Sequence, residues 1–240
     1  MGKLLRFEFA KLIKAKSFYI CLGVCCAMFI LFGLVADSDT PGATSLNFFK
    51  SFTEFSMITT IIAIPVSLFV CEDAQCGAEK TVLGRGVSRT KFFFAKYISS
   101  LVAFMTFVLA TMGICYVFSV IKFEYAMDDT FVPFILLVLV GLFMFHGLFF
   151  SIATISGKNG ISIAVAFLLP SVLQLLMMLL DYVLPLEGFS FDVFSFNDIL
   201  SKLVRYTTWN KDITWAFVLS LAYPCTLVGV AHEVYVRKEN

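Results

Sequence analysis

Few side chains of this 240-residue chain could carry out chemistry, and those that could are far apart in the sequence. Cys71 and Cys76 have four residues between them, but no second cysteine pair or nearby histidine completes a zinc site. His232 precedes Glu233 without the second histidine that a zinc-protease motif requires. The sequence also lacks the glycine-serine motif of serine hydrolases and a phosphate-binding loop. It therefore predicts no catalytic residue, no metal site and no ATP-hydrolysing site in this chain.

His146 is the ionisable residue that lies deepest within an apolar stretch. A titratable side chain inside a membrane span is a functional hypothesis by default. A single histidine at that depth is also a common neutral hydrogen-bond partner between helices. His146 is therefore a candidate polar group of a transport pathway or a structural hydrogen-bond partner.

The composition indicates a membrane protein. Apolar residues make up 60% of the chain and charged residues 15%, against about 45–50% and about 25% in soluble domains. So few polar residues cannot cover the surface of a soluble protein. An ordinary soluble enzyme and a disordered chain are thereby excluded. The net charge of +1 gives no field that would attract nucleic acid, and we expect no nucleic-acid partner.

Six stretches are long and apolar enough to cross the hydrocarbon core, which takes about 20 residues per helix. They lie at about 18–36, 55–71, 98–121, 131–155, 161–184 and 213–236. Their apolar residues lie on all sides of the helix, as lipid contact requires, and no stretch alternates like the strand of a β-barrel. We expect an all-α integral membrane protein whose six transmembrane helices form one domain over residues 1–240.

Lysine and arginine are distributed unequally between the two sides of these spans. Thirteen of the eighteen basic residues fall on the side of the two termini, whereas acids favour the other side by eleven to six. Because basic residues are retained in the cytoplasm, both termini are predicted to be cytoplasmic.

The segment before the first span is predicted to form an interfacial helix over residues 3–16. One apolar face is formed by Leu5, Phe9, Leu12 and Ile13, and the opposite side by Lys3, Lys11 and Lys14. Such a helix would lie on the cytoplasmic leaflet and contact membrane lipid. A plain basic flank of the first span is the alternative.

The loop between the second and third predicted spans favours a short cytoplasmic helix. Gly84 and Gly86 would end this helix, and Ser88 would cap the next one. We expect its apolar pair, Val82 and Leu83, to press into a cytosolic partner. Candidate contact residues are Glu72, Asp73, Gly77, Lys80, Val82, Leu83, Arg85 and Arg89. The alternative is that the basic residues only anchor the loop to anionic lipid.

The segment 185–212 is predicted to be external and is unusually aromatic. Ser195 and Asp198 have the spacing of a capping box before a short apolar helix. We expect the segment to dip into the outer leaflet or to cap a cavity. The candidate gate residues are Phe189, Phe191, Phe194 and Phe196. An interfacial aromatic belt is the alternative.

Three segments resemble the permease subunits of type-2 ABC exporters, the ABC-2-type membrane proteins. Residues 3–18 are similar to the family's basic opening with one acid, and residues 234–238 to its aromatic-basic close. Within residues 72–96, an acid is followed by glycine, a short helix and the element Gly86-Val-Ser-Arg89, with Lys96 beyond it. Gly77-Ala78 departs from the Gly-Thr that the family often has at that place.

This resemblance implies several functional expectations. The N-terminal helix would be the family's elbow helix, residues 76–86 the coupling helix, and residues 185–212 an external re-entrant gate. ATP and Mg would be bound by a separate cytoplasmic ABC ATPase subunit, and a second permease, identical or related, would complete the pathway. The setting would be a bacterial cell membrane. The implied cargo is a hydrophobic or amphipathic peptide or a drug, and the alternatives are bacteriocin immunity or a non-transporting anchor or sensor.

Overall fold

The computed structural model describes residues 2–35, 56–123, 131–184, 190–205 and 209–237. Over these ranges the chain is helical and contains no strand. The α-helices, in chain order, are α1 (Gly2–Lys14), α2 (Lys16–Val35), α3 (Ser56–Gln75), α4 (Ala78–Gly84), α5 (Arg89–Phe123), α6 (Phe131–Ser156), α7 (Asn159–Val183), α8 (Phe196–Val204) and α9 (Lys211–Arg237). A 3₁₀ helix, Phe191–Phe194, precedes α8.

Five of the six predicted spans are confirmed as helices that are long and apolar enough to cross a membrane. They are α2, α5, α6, α7 and α9. From residue 56 onward the predicted span 55–71 belongs to α3, a 20-residue helix that is not one of these five; residue 55 lies outside the described residues. Glu72 and Asp73 lie in the last turn of α3. The all-helical membrane class is therefore confirmed, and the sixth span stays a prediction.

Helix α6 occupies the centre of the bundle. It packs against α3, α7, α8 and α9. In the most apolar 18-residue stretch of α6, 67% is buried, whereas only 11% of the corresponding stretch of α7 is buried. Its buried core side chains include Phe145, Leu148 and Phe149. Because a buried helix needs apolar residues on all sides, the phenylalanine-rich sequence of α6 fits this central position. The outer faces of α2, α7 and α9 remain exposed and apolar.

A close crossing fixes α6 against α9. A Cβ atom at Gly147 would lie 2.6 Å from Pro224 Cβ and 2.8 Å from Pro224 Cα. Any larger residue at position 147 would push the two helices apart. Small residues at such crossings are characteristic of helix packing in membranes.

Helix α1 forms where a helix was predicted, over Gly2–Lys14 instead of 3–16. Of its predicted apolar face, Leu12 is buried and Ile13 is 64% exposed. Lys11, predicted on the opposite side, contacts Asp73, and Glu8 is fully buried. Charged side chains thus hold one side of α1 against the bundle, and contact of its apolar face with lipid stays a prediction.

Candidate functional site

The short helix α4 lies between two glycines with left-handed backbone conformations. Gly77 precedes it with φ +70°, and Gly86 follows its end with φ +85°. Such φ values are accessible to glycine at little cost. Helix α4 ends at Gly84, and α5 begins at Arg89, directly after Ser88. The predicted short helix, its break and its restart are confirmed.

The two faces of α4 differ in what they contact. Val82 and Leu83 are half-buried and pack against the apolar core of this chain. Lys80, Thr81 and Arg85 are exposed. In the structure they contact their own bundle, and the prediction that they press into a cytosolic partner stays a prediction. The surface that α4 leaves open is polar and basic.

Beside α4, four charged side chains form a buried cluster, which we call the charge cluster: Glu8, Lys11, Asp73 and Lys96. Lys11 from α1 and Lys96 from α5 both donate hydrogen bonds to the Asp73 carboxylate at the end of α3. Asp73 and Lys96 are each only 4% exposed. The aromatic ring of Phe69 lies below both ammonium groups, 4.7 Å from Lys96 Nζ and 5.7 Å from Lys11 Nζ. The charge cluster therefore ties three helices together at one end of the bundle.

Glu8 has the least favourable position in the charge cluster. It is fully buried, and neither carboxylate oxygen has a hydrogen-bond partner within the described residues. Lys96 Nζ lies 3.8 Å from Glu8 Oε2. Burial raises the pKa of the Glu8 carboxyl above its ordinary value, and the attraction of Lys96 and Lys11 only partly offsets this. The folded protein therefore favours the neutral, protonated form of Glu8 more than water does.

A cavity of about 270 Å³ separates α4 from the spans. Asp73, Lys96, Glu79 and Leu83 line it together with Tyr235 from the end of α9. The Tyr235 hydroxyl is buried, and the cavity that Tyr235 lines is the one that Glu79 lines from α4. Helix α4 therefore faces the end of α9 across this cavity.

The remaining residues predicted to contact a partner lie around the same end of the bundle. Arg89 donates a hydrogen bond of 3.3 Å to the carbonyl oxygen of Val236, which joins the start of α5 to the end of α9. Glu72 is 44% exposed at its side chain and lies 3.9 Å from Lys11 Nζ. The structure thus brings Glu72, Asp73, Lys80, Leu83 and Arg89 around one site.

At the opposite end, α8 enters deeply between the long helices. Its apolar face is formed by Phe196, Ile199, Leu200, Leu203 and Val204, all buried. A Cβ atom at Gly141 of α6 would lie 2.8 Å from Leu200 Cδ1, and the ring of Phe196 lies 5.9 Å from that of Phe145. These α6 positions are ten and fourteen residues from the start of the helix, about 15–21 Å along its axis. That is near the middle of a hydrocarbon core about 30 Å thick.

Polar contacts fix α8 at this depth. Ser195 caps α8 by accepting a hydrogen bond from the Asp198 amide, so the predicted cap is confirmed. Asn197 donates a hydrogen bond of 2.9 Å to Gln174 of α7. The Asp181 carboxylate at the end of α7 accepts from the Phe191 amide at 2.6 Å.

The four predicted gate phenylalanines are in different environments. Phe196 is buried between Phe145 and Tyr223, whose ring centroid is 4.8 Å away. Phe191 is half-buried, and Phe194 is 37% exposed. Phe189 lies outside the described residues. Helix α8, within the described part of this segment, lies inside the bundle, and the gate role of the four phenylalanines stays a prediction.

His146 is fully buried on α6 and bonds to α5. Its Nε2 atom lies 3.1 Å from Ser100 Oγ. Because the Ser100 hydroxyl donates to the Tyr97 carbonyl oxygen at 2.9 Å, it accepts from Nε2, and Nδ1 is left without a partner. The geometry is that of a neutral hydrogen bond between helices, and a role of His146 in a pathway stays a prediction.

Three members of the charge cluster, Glu8, Lys11 and Lys96, were not among the predicted site residues. Glu8 is the only acid in the first 36 residues, within a segment that carries five basic residues. An isolated acid on an otherwise basic helix was the available signal. What the sequence could not reveal is that Asp73 and Lys96, 65 and 88 positions away, would meet it.

We predict that Asp73→Asn strongly destabilises the protein, whereas Glu72→Gln does not. Removing the Asp73 charge leaves Lys96 buried with its principal partner gone, which typically costs about 3–5 kcal/mol. Glu72 is partly exposed, and loss of its pair with Lys11 costs about 0–1 kcal/mol. Unfolding of both variants in mixed micelles measures the difference. Equal stability of the two variants would show that the charge cluster does not hold the helices.

We predict that Glu8→Gln changes how stability depends on pH. Because the Glu8 pKa is raised in the folded protein, the wild type loses stability as pH rises from the ordinary value of 4.5 through the raised pKa. Glutamine cannot ionise, so the variant should lack this loss and be as stable as wild type, or more so, above that range. Thermal unfolding in detergent between pH 4 and 8 tests this, with Glu72→Gln as the control. A variant curve parallel to the wild-type curve would contradict the prediction.

Comparison with known proteins identifies one family. Residues 4–178 match a family model described as ABC-2 family transporter protein. The match includes the charge cluster, α4, the candidate spans α2, α5 and α6, and α7 up to residue 178. No curated protein matches the chain.

Proposed function

The chain belongs to the ABC-2 family of transporter proteins, and from this premise we propose that it is the membrane-spanning permease subunit of an ATP-driven exporter. It is a multi-pass membrane protein, and its family supplies transport subunits without an ATPase site of their own. In our proposal it has six spans with both termini in the cytoplasm of a bacterial cell. A second permease, identical or related, completes the pathway, and a separate ABC ATPase binds ATP and Mg.

The observation that carries this proposal is the geometry of α4. This helix lies between two left-handed glycines, is anchored by Val82 and Leu83, and leaves Lys80, Thr81 and Arg85 open. A rigid, anchored helix with a free polar face can transmit movement of a docked subunit to the bundle. We therefore assign the contact with the ATPase to the exposed face of α4 and the anchoring to its apolar face.

Two sets of contacts would pass movement of α4 to the spans. Glu79 and Leu83 line the cavity next to Tyr235 of α9. Asp73, at the end of α3, is two residues before the link to α4 and is held by Lys11 and Lys96. A displacement of α4 by ATP-driven closure of the ATPase would thus act on α1, α3, α5 and α9 together. Glu72, Gly77 and Arg89 would take part as flanking residues of the link.

We predict that Lys80→Glu combined with Arg85→Glu weakens ATPase binding without unfolding the permease. Both side chains are exposed, so their reversal replaces attraction by repulsion at the contact. Two exposed charge pairs at up to about 1 kcal/mol each correspond to a loss of about tenfold or more in affinity. The loss should shrink as salt rises, because exposed charges are screened within about 10 Å at 0.1 M.

Co-purification of the ATPase at low and high salt measures this effect. Lys14→Glu with Lys158→Glu is the matched control, since both lysines are exposed and lie outside α4. Val82→Asp with Leu83→Asp should instead lower the thermal stability of the permease itself, because these residues pack on its core. Normal co-purification of the Lys80/Arg85 variant would overturn the assignment of the exposed face.

We further propose that α8 is the external gate of the pathway. Its depth beside Gly141 and Phe145, and its hydrogen bond to α7 through Asn197, support a re-entrant segment that separates to admit or release cargo. Phe191, Phe194 and Phe196 belong to this segment, as does Phe189 by sequence. The scarcity of ionisable side chains in the confirmed spans favours a hydrophobic or amphipathic cargo such as a peptide or drug.

A disulfide between α6 and α8 provides the test of gating. A Cβ atom at Gly141 would lie 4.0 Å from Leu200 Cα, so cysteines introduced at the two positions would be close enough to be crosslinked. In a background without native cysteines, Gly141→Cys with Leu200→Cys should block export when oxidised and restore it when reduced. Each single cysteine variant is the control. Export at the native rate by the oxidised double variant would show that α8 does not move.

A further inference from the structure

A second feature of the same end of the bundle is a groove between α1 and the link from α4 to α5. It has a volume of about 610 Å³, within the range of about 300–1,000 Å³ typical of ligand sites. The lining residues are Lys3, Leu4, Phe7, Val82, Arg85, Gly86, Val87, Ser88 and Lys91. The groove is separate from the charge cluster, none of whose members lines it.

The groove has an unbalanced positive charge. Lys3, Arg85 and Lys91 line it from three different segments, and no carboxylate lines it. None of the three forms an ion pair within the described part of the chain. The charge cluster nearby shows the opposite arrangement, with its lysines neutralised by acids. Three cations without a neighbouring carboxylate attract an anion, and within the groove this anion would have to come from a ligand.

The floor of the groove is apolar. Leu4, Phe7, Val82 and Val87 contribute to it, and Phe7 is 51% exposed. The Ser88 hydroxyl adds a hydrogen-bonding group at the rim. A ligand that carries a phosphate and apolar chains together matches both the cations and this floor.

The position of Lys91 relative to the spans favours a lipid over a protein. Lys91 lies in the first turn of α5, a confirmed span, and seven residues before the apolar stretch that begins near Ile98. Seven residues correspond to about 10 Å of helix, which puts the long Lys91 side chain at the level of the lipid headgroups. Helix α1 is joined to the span α2 by Ala15 alone, so it is held close to the same surface.

We propose that this groove binds the headgroup of an anionic phospholipid. Lys3, Arg85 and Lys91 surround the phosphate, and Leu4 and Phe7 contact the start of the acyl chains. The bound lipid joins α1 to α4 and so fixes the helix that contacts the ATPase. This inference rests on the proposed function for its membrane orientation, but lipid binding itself needs no ATPase.

The test measures lipid binding by the purified permease without its ATPase. A short-chain phosphatidylglycerol is titrated into the protein in neutral detergent, and the thermal midpoint is followed; phosphatidylcholine of the same chain length and inorganic phosphate are titrated in parallel. We expect a saturable rise of the midpoint with phosphatidylglycerol alone. Lys3→Gln with Lys91→Gln should weaken apparent affinity about 25-fold, because each cation near an anionic surface contributes about fivefold.

Lys14→Gln with Lys158→Gln is the matched control, which removes two exposed charges outside the groove and should bind like wild type. Equal shifts with phosphatidylcholine, equal affinity of the two double variants, or an equal response to inorganic phosphate would each overturn the proposal. Loss of ATPase co-purification by the Lys3/Lys91 variant with phosphatidylglycerol affinity unchanged would make the groove a protein contact and would also overturn it. Arg85 belongs to both surfaces, but Lys80 does not line the groove. The lipid test varies only Lys3 and Lys91 and is read without the ATPase, so either proposal can fail alone.

Discussion

The carboxylate of Asp73 is the group on which the arrangement of this end of the bundle depends. It accepts hydrogen bonds from two ammonium groups that come from α1 and α5. None of these charges could remain buried alone, because an unpaired ion in a low-dielectric interior costs several kcal/mol. The positions of the three helices are therefore coupled: α1 cannot leave the bundle without breaking the contact of Lys11 with Asp73, and α3 cannot shift without breaking both lysine contacts. The segment that follows Asp73 is the one that carries α4.

Towards the opposite end of the bundle, the helices are held together by close packing of complementary side chains instead of by ion pairs. Helix α8 fits against α6 because Gly141 leaves room for Leu200, and α9 fits against α6 because Gly147 leaves room for Pro224. Among lipid-facing helices the hydrophobic effect provides little drive for association, so close packing and a few polar contacts must do so. The hydrogen bond of Asn197 to Gln174 is such a contact. The two ends of the molecule thus use different physical means, ion pairs near the surface and tight packing near the middle.

Much of this fold was predictable, and the failures have identifiable physical causes. Five spans, the glycine break at Gly84–Gly86 and the cap at Ser195 follow from local composition and were predicted correctly. Two contacts were not foreseen, the packing of Val82 and Leu83 on the core of their own chain and the pairing of Lys11 with Asp73, because both depend on what lies across the bundle. Glu8, Lys11 and Lys96 were missed as site residues for the same reason: their significance comes from their meeting with Asp73, and no local pattern places those four together. The sequence predicted that the segment of α8 dips into the outer leaflet or caps a cavity, but it did not predict the depth. Apolar residues alone do not show how far a segment enters the helix bundle.

Helix α9 runs from the end of the bundle near α8 to the end near α4. A proline within α9 marks where the helix can bend. Tyr223 contacts Phe196 of α8 on one side, and Tyr235 lies by Glu79 of α4, twelve residues or about 18 Å further along the helix. Pro224 lies between them and cannot donate the backbone hydrogen bond that would stiffen the helix at that turn. Its ring is held directly against Gly147 of the central helix α6. A displacement of the Tyr235 end would therefore pivot at the Pro224–Gly147 crossing, one residue from the contact with α8. Under the proposed function, a proline at this close crossing would let α9 act as a lever between α4 and α8.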